Sequence, residues 1–304
     1  MIPAPFDYVR PGSVDEAVRA LSEAGEDAKI LAGGQSLIPV LRLRLAAPST
    51  LIDLGGIPEL RRIRDDGDRV AIGAMAPHHE VMRDDLVNEH VALLAQATAT
   101  VADNQVRHRG TLGGALAHAD PAGDLGGVAL ALEAEFVITG PGGQRTVSAD
   151  DFFVDYFTTA LGEDEILTEV RFPKRASRNP ARVPARPGSS DMSSRHTGWG
   201  SHYEKFNRTA QSWSMVAIAA AVRTEGGTIA EARVGLSNMG ATPLRARGVE
   251  EALVGRPVTA EAVRAAAERV TEGTAAPSDA DAASDYREHL ARVLTGRAVL
   301  AAVG

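Results

Sequence analysis

Cysteine is absent from all 304 residues of the chain. That excludes a disulfide framework, a thiol nucleophile and any cysteine-ligated iron–sulfur cluster held by this chain itself. Aromatic residues make up only 4%, and 40 acids outnumber 32 Lys and Arg for a net charge of −8. With few stacking platforms and no excess of basic phosphate contacts, the composition argues against nucleic-acid binding. Long apolar runs are missing too. "VALLAQATATV" and "MVAIAAAV" are the longest, well short of the roughly 18 residues of a membrane span. No basic stretch followed by an apolar one opens the chain, so no signal peptide is expected. The expectation is a cytoplasmic protein without a transmembrane segment, long enough for two domains.

What is present is punctuated by glycine. In the first 170 residues β-like and helix-like patterns alternate. "SVDEAVRALSEAG" reads as a helix with Ser13 as N-cap, Glu16 completing a capping box and Gly25 as the stop. "AKILAGG", "STLIDLGG" and "DRVAIGAM" read as strands, and "APHHEVMRDD" as a helix with Pro77 in its first turn. "HVALLAQATATV" reads as a helix starting near His90, "GDLGGVALALEA" as another, and "EFVITGPGGQRTVS" as a hairpin. "EILTEVRFPKR" closes the region as a strand. From His202 onward three strands, "HYEKFNR", "SMVAIAAAVRTEGG" and "TIAEARVGLSNMG", precede three helices, the first of them "PLRARGVEEALVG". Strands first and helices after point to an α+β domain.

Two stretches, "KILAGGQSL" and "RGTLGGALAHADPAGDLGG", run from a β-prone segment through paired glycines into a helix. Glycine reaches positive φ and lets backbone approach a ligand without a Cβ in the way. Amides beside a helix start can then hold a phosphate, with Ser36 and Thr111 adding hydroxyls. Read singly, each pair is simply a tight turn. Neither has the G-x-G-x-x-G spacing of a nicotinamide fingerprint or the G-x-x-x-x-G-K-[ST] of a P-loop. His78 and His79 are adjacent, so on a helix they point apart and make no metal pair; no metal site and no catalytic acid–base pair is read from the chain. Tyr203, Trp199 and Trp213 could stack on a planar ligand, although packing is the simpler role for them.

"KILAGGQSLIPVLRLRLAAPSTLIDLGGIPEL", "VADNQVRHRGTLGGALAHADPAGDL" and "YEKFNRTAQSW" together resemble, in order and over nearly the whole chain, the FAD-binding medium subunit of molybdenum hydroxylases. That group spans aerobic carbon monoxide dehydrogenase and xanthine dehydrogenase. The resemblance implies an α+β chain: a two-part FAD-binding domain over residues 1–176, split near 56–60, then a C-terminal domain over 202–304 with a three-stranded antiparallel sheet and three helices. It implies non-covalent FAD, with Lys29, Leu31, Ala32, Gly33, Gly34, Gln35, Ser36 and Leu37 around the pyrophosphate. Thr111, Leu112, Gly113 and Gly114 form the second phosphate loop, with His118 ordering it, and Asp124 contacts the adenosine side. Leu167 and Lys205 match positions near the isoalloxazine ring, and Tyr203, two residues before Lys205, is the stacking candidate counted with them among the cofactor-binding residues.

The same resemblance implies partners: a large molybdopterin subunit and a small subunit with two 2Fe–2S clusters, in a dimer of heterotrimers. Electrons would pass from those clusters through FAD to an external acceptor, and the substrate would be chosen by the large subunit. Two alternatives stay open, a stand-alone flavin oxidase of the same fold and an interaction module whose glycines are only turns. Between the domains, residues 177–201 read as an Arg/Pro-rich linker or insertion, with prolines at 180, 184 and 187 and no apolar periodicity.

Overall fold

The structure, a computed structural model, describes residues 2–175 and 198–304. It begins with β1 (Asp7–Val9), α1 (Val14–Ala24), β2 (Ala28–Leu31), α2 (Leu37–Arg42) and β3 (Thr50–Asp53). The three strands form a parallel sheet in the order β1-β3-β2. Helix α1 is amphipathic, and its Ala17, Val18 and Leu21 pack on Ala28 and Ile52. The expected capping box is half formed: Ser13 Oγ accepts from the Glu16 amide at 3.2 Å, while Glu16 Oε2 accepts not from the Ser13 amide but from that of Gly12 before it, at 2.8 Å. Two backbone donors that no helical carbonyl could satisfy are thereby paired.

A second unit is built on one antiparallel sheet. Strands β4 (Ile63–Asp66) and β5 (Arg69–Gly73) lead into six short helices, α3 (His78–Val81), α4 (Asp85–His90), α5 (Ala92–Ala99), α6 (Asn104–Arg109), α7 (Leu112–His118) and α8 (Asp124–Ala131). The chain returns through β6 (Glu135–Gly140), β7 (Gly143–Ser148), α9 (Ala149–Phe152), the small pair β8 (Phe153–Asp155) and β9 (Thr158–Thr159), and β10 (Ile166–Pro173). The sheet order is β4-β5-β10-β6-β7.

The C-terminal unit comprises β11 (Gly198–Phe206), β12 (Val216–Glu225), β13 (Thr228–Ser237), β14 (Leu244–Arg245), α10 (Arg247–Leu253), α11 (Ala260–Ala267) and α12 (Ser284–Val303). Alternation along β12 ties it to the rest. Ala217, Ala219 and Ala221 face the core of the second unit, whereas Val216, Ile218, Ala220 and Val222 face the core shared with α12. A strand buried on both faces reads as one continuous apolar run, as "MVAIAAAV" does.

Four local expectations are corrected. His90 does not start a helix: it ends α4, and Val91 at φ −136°, ψ 43° breaks the helical path before α5. The segment read as one helix from Pro243 opens instead with β14, because Leu244 and Arg245 pair with Leu236 and Gly235 and make a fourth strand. The helix from Pro77 shrinks to the single turn of α3. Gly198–Ser201, read as the end of the linker, are already paired with β12. Residues 176–197, which hold the rest of the linker or insertion, lie outside the described residues.

Candidate cofactor site

The two glycine stretches meet. Gly33, between β2 and α2, lies so close to the turn before α7 that a Cβ would sit 2.3 Å from the Arg109 carbonyl oxygen and 2.6 Å from Gly110 Cα. A Cβ on Gly114 would come within 3.2 Å of Ala32 Cβ. Only residues without side chains allow two backbones to approach this closely. Gly34 adds a conformational demand, since its φ of 75° is left-handed, with the side chains of Leu31 and Ile38 packed beneath it.

The loops differ in what they offer. The backbone amides of Gly33, Gly34, Gln35, Ser36 and Leu37 have no hydrogen-bond acceptor among the described residues. Ser36 caps nothing with its hydroxyl, while the Gln35 side-chain amide turns back to the Gly33 carbonyl at 3.2 Å. The run is exposed or half-buried and leads into the first turn of α2, where amides have no helical acceptor, so it presents a row of donors at the surface beside a helix N-terminus that an anion can accept from. In the second loop the amides are already used. Leu112 N–H donates to the Ala76 carbonyl at 3.0 Å, Gly113 N–H to the Ala74 carbonyl at 2.8 Å, and Gly114 N–H to Thr111 Oγ1 at 3.1 Å. Gly113 is glycine for packing, because a Cβ there would lie 2.4 Å from Ala74 Cβ. Thr111 Oγ1 caps α7 as an acceptor and keeps its own hydrogen to donate.

Arg109, which the sequence reading passed over, belongs with this group. Its carbonyl is the surface Gly33 rests on, and its exposed guanidinium has no carboxylate partner among the described residues. Its position directly before "GTLGG" was the available signal. Lys29 is exposed on β2, on the approach to the same loop.

Farther along α7 the site changes character. His118 ends the helix with its ring 5.0 Å from that of Phe157, and burial pushes the nearby Asp120 carboxyl up, against the opposing pull of the Ala122 amide and His118. Asp120 helps line a cavity of about 620 Å³ between the second and C-terminal units, walled by Tyr156, Phe157, Arg208, Trp213 and Asn238. The cavity and the Thr111 loop lie at opposite ends of one seven-residue helix, a rise of about 10 Å. Trp213 stands at this cavity, whereas Trp199 is packed under the Arg175 guanidinium 4.2 Å from its ring centre.

Asp124, Tyr203 and Lys205 are brought together and closed off. Asp124 Oδ1 accepts from the Tyr203 hydroxyl at 2.7 Å and Oδ2 from Lys205 Nζ at 2.9 Å, with the two charged side chains 3% and 5% exposed. Lys205 Nζ also donates to the Thr100 carbonyl at 3.2 Å. Burial pushes the Asp124 carboxyl up, and Lys205 and Tyr203 pull it back. Burial beside that carboxylate also raises the Tyr203 phenol well above its ordinary value. Lys205 does not pair with Glu204 on its own strand. Leu167 is buried in β10 within the core of the second unit. His78 is buried and His79 is half-buried, stacked on His108 at 3.7 Å, so the two point apart.

Comparison with known proteins decides the family. Residues 4–175 match the FAD binding domain in molybdopterin dehydrogenase, and residues 201–302 match the CO dehydrogenase flavoprotein C-terminal domain. The chain belongs to the FAD-binding medium-subunit family of molybdenum hydroxylases. It is 40% identical over 302 residues to the carbon monoxide dehydrogenase medium chain of Hydrogenophaga pseudoflava, covering 99% of this chain and 98% of that one. It is 35% identical over 295 residues to the nicotine 6-hydroxylase medium subunit of Paenarthrobacter nicotinovorans, covering 97% and 96%. A solved carbon monoxide dehydrogenase from Hydrogenophaga pseudoflava superposes with a TM-score of 0.90 at 41% identity, covering 99% and 98% of the two chains. The cofactor of this family is FAD, and the family's enzymes are oxidoreductases. The loop geometry fits that cofactor, since a pyrophosphate supplies the acceptor oxygens that the free amides lack.

Proposed function

We propose that the chain binds FAD non-covalently at the two meeting loops and serves as the electron-transfer subunit of a molybdenum hydroxylase. The observation that carries this reading is the run of free amides from Gly33 to Leu37, held against the Arg109–Gly114 turn. In this assignment Gly33, Gly34, Gln35, Ser36 and Leu37 donate to the pyrophosphate, with the Thr111 hydroxyl and Arg109 adding to them. Leu31 and Ala32 shape the floor, and Lys29 supplies long-range attraction. Leu112, Gly113 and Gly114 act by letting the second loop approach. The cofactor then runs along α7 toward the cavity beside Asp120, with His118 and Asp124 setting that end of the loop. Leu167, Tyr203 and Lys205 form the wall behind it.

Bound FAD would supply the redox chemistry, and the protein would hold and tune it. Electrons would arrive from 2Fe–2S clusters of a small partner subunit, because this chain has no cysteine to hold a cluster. They would leave to an external acceptor, while a large molybdopterin subunit hydroxylates the substrate. A dimer of heterotrimers in the cytoplasm is the assembly proposed. No helix among the described residues is long and apolar enough to cross a membrane. That similar medium subunits are named for carbon monoxide and for nicotine supports a substrate chosen outside this chain. Domains over 1–176 and 202–304 are part of the same proposal.

The test is reconstitution. The chain refolded with FAD should show bound-flavin absorption, and Gly33→Asp or Gly114→Asp should abolish it by setting a side chain and a charge in the junction. Full flavin in both variants would refute the loop assignment. Iron and molybdenum should copurify with the chain from its native source; a flavoprotein oxidising substrate without either metal would establish the stand-alone oxidase instead.

A further inference from the structure

We propose that an exposed apolar face beside the first glycine loop docks another protein subunit, one that presents an apolar surface ringed by carboxylates. This rests on the reading of the chain as one subunit of a hetero-oligomer. The face consists of Ile2, Ile38, Leu43 and Leu45, which are 81%, 43%, 58% and 74% exposed, with Arg42 and Arg44 among them. Large aliphatic side chains gathered this way on a surface are the usual mark of an interaction site.

The backbone is bent to make it. After α2 the chain turns through Arg44, whose φ of 58° is left-handed in a residue that carries a side chain. Leu43 N–H donates to the Pro39 carbonyl at 3.0 Å, Arg44 N–H to Leu41 at 3.0 Å and Leu45 N–H to Val40 at 3.1 Å. These bonds hold the strained residue, and the turn leaves both leucines in solvent. Arg44 Nε donates to the Ile2 carbonyl at 3.2 Å, which joins the N-terminal segment to the same face. The turn at Arg44 is the left-handed cap with which helices commonly end, so the placing of Leu43 and Leu45 in solvent is built into the end of α2.

Charge selects the occupant. Neither Arg42 nor Arg44 has a carboxylate partner among the described residues. A second copy docked about a two-fold axis would set these arginines against their own equivalents, with no acid in the face to offset them. An anionic bilayer would meet a chain whose net charge is −8, and that charge opposes approach. A protein face that joins apolar contact to carboxylates satisfies both the leucines and the arginines.

The experiment uses the chain coexpressed with its partner subunits. Leu43→Glu/Leu45→Glu should weaken assembly by at least about 100-fold in titrations followed by light scattering, with FAD content unchanged. Arg44→Gly is the second variant. Glycine relieves the left-handed strain, so its melting temperature should hold or rise while assembly weakens by roughly 10-fold. Unchanged assembly in both variants overturns the proposal. It is equally overturned if the isolated wild-type chain self-associates through these leucines, or binds phosphatidylcholine–phosphatidylglycerol vesicles through them. A wild-type chain that takes up no FAD would refute the functional reading instead, whatever the assembly result.

Discussion

Lys205→Met removes the ammonium that faces Asp124 and keeps most of the aliphatic stem, so its effect isolates one charge. Both partners are almost wholly shielded from water, and the pair joins β11 of the C-terminal unit to the start of α8. Stripping one partner from a buried pair leaves the other charge uncompensated, at a cost of about 3–5 kcal/mol. In a chain of this size each kcal/mol lowers the melting temperature by about 2 °C, so a fall of about 6–10 °C is expected. The sign with pH follows from Asp124. Its carboxyl is already raised by burial, with Lys205 opposing, and losing Lys205 raises it further. A carboxyl raised in the folded state stabilises when protonated, and that contribution is lost as pH rises through the folded value. The deficit relative to wild type should therefore be larger at pH 8 than at pH 5.5. Calorimetry at the two pH values measures it, and the titration of other groups is common to both proteins. Asp124→Asn/Lys205→Met, with neither charge present, should recover at least half the loss. A deficit independent of pH, or a double variant no more stable than Lys205→Met, refutes the coupling.

Tyr203→Phe removes the hydroxyl from Asp124 without opening a cavity, and should cost about 2 kcal/mol in denaturant unfolding. His78 is buried, its Nδ1 has no partner among the described residues, and burial lowers its pKa to about 4. Because it folds neutral, its contribution is complete above its ordinary value of 6.5 and lost as pH falls toward 4; that shift is worth about 3 kcal/mol. His78→Leu should flatten this part of the acid limb in pH-dependent melts. Gly33→Ala should lower FAD affinity at least about 100-fold by fluorescence titration, because the atoms it meets are backbone and cannot swing aside. Gly25→Ala, at a positive φ of 72° with ψ −162° but facing open space, should cost about 1–3 kcal/mol of stability and leave flavin binding intact.

Local chemistry determined much of this protein from the sequence alone. Ser13, Glu16 and Gly25 mark the ends of α1 because a helix needs those hydrogen bonds from residues at its own termini. Gly142–Gly143 and Gly226–Gly227 mark hairpins because positive φ is needed there, as found at Gly143, Gly226 and Gly227. The absence of cysteine ruled out a cluster without reference to any fold. The glycine loops and the order of the motifs, through their resemblance, pointed to the family. Tertiary structure decided what no window of sequence contains. Leu244 and Arg245 became strand because β13 offered them a free edge. Gly113 and Gly114 looked like phosphate donors, yet their amides went to Ala74 and Thr111, since the chain folded acceptors onto them from outside the motif. Lys205 sits next to Glu204 in sequence, but alternation along β11 and the packing of α8 sent it to Asp124, 81 residues away. The same unused amides in the first loop and the same bent turn at Arg44 depend on which partners the fold brought near, and which it withheld.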